Sequence, residues 1–437
     1  MKQTKYILLI SLTVACGGLL FGFDTAVISG ILPILQTHFG LNELMSGWVV
    51  SILTVGCIVG AIFSSGLADK YGRKKLLFFA AAGFFVSSLG TAFSINIYMF
   101  QSFRFLGGLA VGVASVASPM YIAEISPAGE RGKMVSINQL TIVIGILAAF
   151  FSNYLFVNTG ENNWRWMLLV MGIPACVFFI LLFFVPETPR WLIGAGHLHE
   201  GKSVLKKILN VYDVEQEFGE IQQSLNRVEE KSSLKALLFS TSKYTLCIGI
   251  ILAIFQQITG INTIMYYAPV IFDTIGFSTN SALFQTILIG SINLLFTIIS
   301  MFLIDKIGRK PLLLAGSGLM ALSLGILSFS IEYMGQSYGI LICILIYIAA
   351  YAISLGPVTW TLISEIFPNK YRGVGMSVST MFLWIAVFLV ALFFPSILAG
   401  LGISKTFLLF MVICVASFLF YLFCIKETKN TKLENVT

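Results

Sequence analysis

The sequence predicts an all-α membrane protein in which twelve transmembrane helices form two pseudo-symmetric six-helix bundles joined by a cytoplasmic helical linker. Three observations carry this expectation. Of 437 residues, 57% are hydrophobic and only 11% charged, with a mean hydropathy of +0.91; a soluble globule carries about 25% charged residues. The apolar residues gather into twelve segments, most of them near or above the ~20 residues that cross a ~30 Å hydrocarbon layer. Sequence motifs in the first half recur in the same order in the second.

Lys2 and Lys5 precede the first apolar segment, from about Tyr6 to Leu32, which is too long for a signal-peptide core and is expected to remain as span one. Further spans are expected at 46–68, 75–94, 97–121, 134–156 and 165–186. These give an N-terminal bundle over 1–186. A polar stretch over 187–243 follows, where Val214, Phe218, Ile221, Leu225 and Val228 are spaced as an amphipathic helix requires. Spans at 244–273, 281–304, 311–331, 338–363, 374–398 and 404–425 make the C-terminal bundle over 244–425, and 426–437 form a short tail. Twelve spans return the chain to the side on which it starts. Of the 27 Lys and Arg residues, all but Arg104, Arg165 and Lys405 fall on that side, and such an excess marks the cytoplasm. The net charge of +7 therefore reflects topology, and no nucleic-acid partner is expected. The seven cysteines all lie in predicted spans without metal-type spacing and read as small apolar fillers. His38, His197 and His199 lie outside the spans, so no metal and no cofactor is expected.

The internal duplication rests on two pairs of loops. Asp69-Lys-Tyr-Gly-Arg73-Lys74 matches Asp305-Lys-Ile-Gly-Arg309-Lys310, and Glu124-Ile-Ser-Pro-x-x-x-Arg131-Gly matches Glu365-Ile-Phe-Pro-x-x-x-Arg372-Gly. Two matches in the same order identify a repeated six-span unit, built around a central cavity. The repeated charges sit at the cytoplasmic ends of spans. Read as topology alone, they are solvated ion pairs worth ~0–1 kcal/mol each. Read together, Asp69, Arg73, Glu124 and Arg131 in one half and Asp305, Arg309, Glu365 and Arg372 in the other form a cytoplasmic latch, with Glu187 and Arg190 tying in the linker; several weak pairs then bias a two-state equilibrium.

The chemistry concentrates in Phe255–Pro269, F-Q-Q-I-T-G-I-N-T-I-M-Y-Y-A-P. At ~1.5 Å per residue, Gln256 lies roughly 18 Å into its span, near the bilayer midplane, where amides must find partners. On an unbroken helix Asn262 and Tyr266 share a face, while Gln256 stands roughly 120° away. Gly260 offers the remedy, because local unwinding there turns the amides toward one cavity, as at transporter sites for polar solutes. Helix-to-helix hydrogen bonding explains a lone amide; a cluster points to a solute. Asp24 is the one acid inside the bundle, and an ionised group there costs ~2.5–3.5 kcal/mol. Arg104 lies at a matching depth and is its expected partner, either as a static pair that fixes packing or as a working group.

The chain resembles the sugar porter family of the major facilitator superfamily through G-F-D-T-A-V-I-S-G at 22–30, P-E-T-P-R-W at 186–191, Q-Q-I-T-G-I-N at 256–262 and G-R-K-P at 308–311. The closing P-E-T-K-G of that family stands here as K-E-T-K-N at 426–430 and reads as a drifted tail motif. The resemblance implies a monosaccharide transporter working by alternating access, with sugar:proton symport across a bacterial plasma membrane as the leading expectation and a passive facilitator or a sugar receptor as alternatives. The short tail argues against a receptor. No H-E-x-x-H motif and no nucleophile–base pair suggests an enzyme, and no obligate protein partner is implied. By the same resemblance the sugar site comprises Gln139, Gln256, Gln257, Asn262, Tyr266, Asn293, Trp360 and Trp384, with Gly356 at a Gly-Pro break that exposes backbone. Amides both donate to and accept from hydroxyls, and an aromatic wall suits the apolar faces of a pyranose. Leu383 stands where relatives often carry an amide, so one hydroxyl contact is missing; hexose, pentose and polyol all remain open. Asp24 stands where proton-linked members carry an acid, which assigns proton coupling to Asp24 and Arg104.

Overall fold

The structure is a computed structural model that describes residues 2–127, 131–209, 213–226, 237, 243–333, 338–367 and 371–427. Twelve helical stretches among these are long and apolar enough to cross a membrane. In the first half they are α1 (Lys2–Phe39), α2 (Glu43–Tyr71), α3 (Arg73–Ala92), α4 (Ile97–Ile125), α5 (Arg131–Phe156) and the pair α6 (Asn163–Leu169) and α7 (Gly172–Leu181). Three short helices follow: α8 (Pro189–Gly194), α9 (Leu198–Ile208) and α10 (Val214–Asn226). The second half holds α11 (Lys243–Ile258), α12 (Ile261–Thr274), α13 (Thr279–Ile307), α14 (Arg309–Tyr333), α15 (Tyr338–Ile353), α16 (Leu355–Ile366), α17 (Arg372–Leu401) and α18 (Ile403–Cys424).

The expected spans are all present, and four differ in detail. α1 runs past Leu32 to Phe39 with Pro33 inside it, because Leu32 and Leu35 are fully buried and carry the apolar face onward. Span six divides near Val170, since Pro174 has no N–H to offer the Val170 carbonyl, which takes the N–H of Ile173 instead. Span seven divides at Gly260, as the amide pattern requires. Span ten also divides, but at Ser354 (φ −117°, ψ −92°) and not at Gly356-Pro357. The proline acts at a distance: its ring excludes the carbonyl four residues back, that of Ile353, so the helix yields just after it.

The chain divides into two compact units. The first comprises Met1–Val27, Ile52–Ser152 and Asn158–Glu230. Small residues let its helices meet closely, as Gly56 and Gly60 of α2 do against Gly108 and Gly112 of α4. The linker helices belong to this unit; Val214 is buried, Lys202 pairs with Glu215 at 2.7 Å, and its Nζ lies 5.3 Å from the centre of the Phe218 ring. The Leu225 side chain and Val228 lie outside the described residues. The second unit comprises Ile28–Ser51, Asn153–Val157 and Lys231–Thr437. It takes in the end of α1 and the start of α2 because Gly47 comes up against the Leu392 carbonyl of α17 and Trp48 packs edge-on to Phe388 at 6.1 Å.

Candidate functional site

In the second unit the polar residues of α11 and α12 meet at the break between them. Gly260 adopts φ +97°, a left-handed conformation that suits glycine, and a side chain there would reach within 2.9 Å of the Phe410 ring. The turn aligns Gln256, Gln257 and Asn262 in a chain of amides. Asn262 Nδ2 donates to Gln257 Oε1 at 2.6 Å, and Gln257 Nε2 to Gln256 Oε1 at 3.3 Å. Gln256 Nε2 then donates to the carbonyls of Leu355 and Gly356, both at 3.0 Å, at the start of α16. Tyr347 of α15 returns the link by donating its hydroxyl to the Thr259 carbonyl at 3.0 Å. These bonds tie the break at Gly260 to α15 and to the start of α16, and the amides keep unused donor and acceptor capacity.

The remaining candidates fall on helices of one unit or the other. Tyr266 is 8% exposed on α12, Asn293 6% on α13 and Trp384 8% on α17, beside the buried Leu383. Trp360 on α16 is exposed. Gln139 on α5 is half-buried in the first unit.

Deep in the first unit, Arg104 Nη1 of α4 donates to Asp24 Oδ1 of α1 at 2.5 Å and to the Asp24 carbonyl at 3.0 Å. Both side chains are 1% exposed. This is the expected pair, and its geometry is lopsided. Asp24 Oδ2 and Arg104 Nε and Nη2 are buried without a hydrogen-bond partner among the described residues. Buried donors and acceptors left unspent beside a charge pair are energetically costly, so the pair is a weak source of stability.

At the ends of α3 and α14 the repeated charges pair within each unit. Arg73 Nη2 lies 3.0 Å from Glu124 and 3.3 Å from Asp69, while its Nη1 donates to the Ala68 carbonyl. Thr188 donates to Glu124 at 2.6 Å, and Glu187 accepts the backbone N–H groups of Arg73 and Lys74, capping α3. Burial pushes the Glu187 carboxyl above its ordinary range, while the N–H groups of Thr188, Lys74 and Arg73 and the Arg73 charge pull it back. In the second unit Arg309 grips Glu365 with two nitrogens, at 2.8 and 3.2 Å. Glu427 caps α14 through the N–H groups of Arg309 and Lys310, each at 3.0 Å. Sequence reasoning missed Glu427, although its Glu-Thr pair repeats Glu187-Thr188. Arg131 donates to the Ala123 carbonyl at 2.9 Å, and Arg190 is exposed. The side chains of Asp305 and Arg372 lie outside the described residues.

A duplicated helical membrane protein whose uncharged polar groups converge on two helix breaks has the construction of a carrier for small polar solutes. The comparisons with known proteins give the class a family. Residues 10–437 match the family described as "Sugar (and other) transporter". The arabinose-proton symporter of Bacillus subtilis is 38% identical across 99% of this chain and 94% of its own length. The D-xylose-proton symporter of Escherichia coli is 37% identical across 99% and 96%. The xylose transporter XylE from E. coli, solved in an inward-open conformation, superposes with a TM-score of 0.89 at 35% identity, over 99% of both chains. The chain belongs to the sugar transporter family and has its twelve-helix major facilitator fold.

Proposed function

We propose that the protein is a sugar:proton symporter that takes up a monosaccharide by alternating access across the bacterial plasma membrane, with both termini in the cytoplasm. The observation that carries the proton half of this reading is the buried Asp24–Arg104 pair, with one carboxylate oxygen and two guanidinium nitrogens unspent. Protonation of Asp24 removes the charge that holds Arg104 and permits the loaded carrier to reorient. One proton moving through 100 mV supplies ~2.3 kcal/mol, enough for a sugar gradient of roughly forty-fold. The sugar half rests on the amide chain of Gln256, Gln257 and Asn262, with Tyr266, Asn293, Gly356, Trp360, Trp384 and Gln139 as further ligands.

Relatives named for xylose and arabinose favour a pentose. The buried Leu383 beside Trp384 agrees, since it offers no hydrogen bond to a further hydroxyl. The cytoplasmic pairs around Arg73 and Arg309 act as the latch that holds one state. Uptake of a panel of labelled pentoses, hexoses and inositol into proteoliposomes, with and without an imposed proton gradient, tests the reading. A pentose should accumulate above its outside concentration only with the gradient. Equilibration without accumulation would make the protein a passive facilitator, and uptake of no sugar in the panel would overturn the substrate class.

A further inference from the structure

The free oxygen of Asp24 has a neighbour that the ion pair does not use. A side-chain carbon at Gly107 of α4 would stand 2.6 Å from Asp24 Oδ2 and equally 2.6 Å from Ser87 Oγ of α3. The two oxygens therefore lie over the same bare Cα, no more than twice that distance apart. The other close-packed glycines of α4 differ in kind, for Gly108 and Gly112 meet the backbone carbonyls of Leu53 and Cys57, as helix packing requires. Gly107 meets two polar side-chain oxygens. One of them, Asp24 Oδ2, is fully buried without a partner among the described residues. The other, Ser87 Oγ, donates its proton to the Phe103 carbonyl at 2.8 Å and keeps its lone pairs.

We infer that Ser87 and Gly107 complete the proton site: Ser87 Oγ accepts the hydrogen bond of the proton that Asp24 takes up on Oδ2, and the missing side chain at Gly107 lets the two oxygens meet. This rests on the reading of Asp24 as the proton-carrying group. The ionised carboxylate has nothing to give to Ser87, whose hydroxyl proton is engaged with Phe103. The protonated carboxyl does, and its new O–H lies on the oxygen that already shares the bare Gly107 Cα with the serine hydroxyl. Ser87 keeps its own proton, and no other bond changes. Among the described residues, the charged or titratable groups facing Asp24 are Arg104 from α4 and the buried Cys57 thiol from α2. Ser87 is thus a positioning residue that selects the neutral form of Asp24, against the pull of Arg104 toward the ionised form.

Infrared difference spectroscopy of the full-length protein in lipid, titrated with acid and without sugar, tests this. The C=O stretch of the protonated carboxyl is assigned by its loss in Asp24→Asn. In Ser87→Ala the band should titrate at a pH lower by roughly half to one unit, the equivalent of one ordinary hydrogen bond, and should move to higher frequency. Gly107→Ala, which pushes the two oxygens apart, should do the same and carries the test if Ser87→Ala does not fold. An unchanged band, or a midpoint moved upward, in folded variants would overturn the inference. Because no sugar is present, that failure leaves the transport reading standing. A wild type without the band would instead remove Asp24 as the proton carrier, and the inference with it.

Discussion

Gln256 has a second part beside the proposed sugar contact, since the same amide holds the carbonyls of Leu355 and Gly356 at the start of α16. Removing it deprives both. Gln256→Ala should weaken sugar binding by roughly 1–3 kcal/mol, the effect of a lost hydrogen bond with its partner left unsatisfied; calorimetric titration of folded variant checks this, and unchanged affinity would remove Gln256 from the site. Glu187 offers a pH dependence. Its carboxyl, raised by burial, holds a proton to higher pH in the folded bundle than in the unfolded chain. The folded state therefore binds more protons, and its stability falls as pH rises through the carboxylate range. Glu187→Gln removes that slope. Thermal unfolding from acid to neutral pH should show the wild type losing ground against the variant as pH rises; a constant difference would contradict the assignment.

Among the elements, the two broken helices show what a sequence discloses and what it withholds. The break at Gly260 was legible, because the amides of Gln256 and Asn262 share a cavity only if the helix turns between them. The break at Ser354 was half legible: Pro357 announces it but acts through the carbonyl of Ile353, so the fault falls earlier in the chain. The hydroxyl of Tyr347 on the Thr259 carbonyl was not legible at all, since nothing local to either residue names a partner 88 positions away. Glu427 was hidden for another reason. Its motif lacks the proline and glycine that mark the tail in relatives, yet the side chain still caps α14. Glu427→Ala should free the N–H groups of Arg309 and Lys310, a cap worth about 0.5–2 kcal/mol. Hydrogen exchange at those two amides should then accelerate roughly two- to thirty-fold, and unaltered exchange would deny the cap.

At the scale of the whole molecule, twelve spans and their duplication were open to sequence reasoning because a hydrocarbon layer imposes length and composition so strictly. The pairing of Asp24 with Arg104 followed from depth alone, one counted outward along α1 and the other inward along α4. What depth does not reveal is the lopsided geometry, with Arg104 held by one carboxylate oxygen while the other lies over Gly107. The proposed proton coupling through Asp24 draws on that asymmetry, and Asp24→Asn tests the proposal most directly. In proteoliposomes with an imposed proton gradient, the variant should lose uphill accumulation of sugar and the accompanying alkalinisation of the outer medium, while sugar binding is retained. A variant that still concentrates sugar, or a wild type that takes up sugar with no movement of protons, would contradict symport through Asp24.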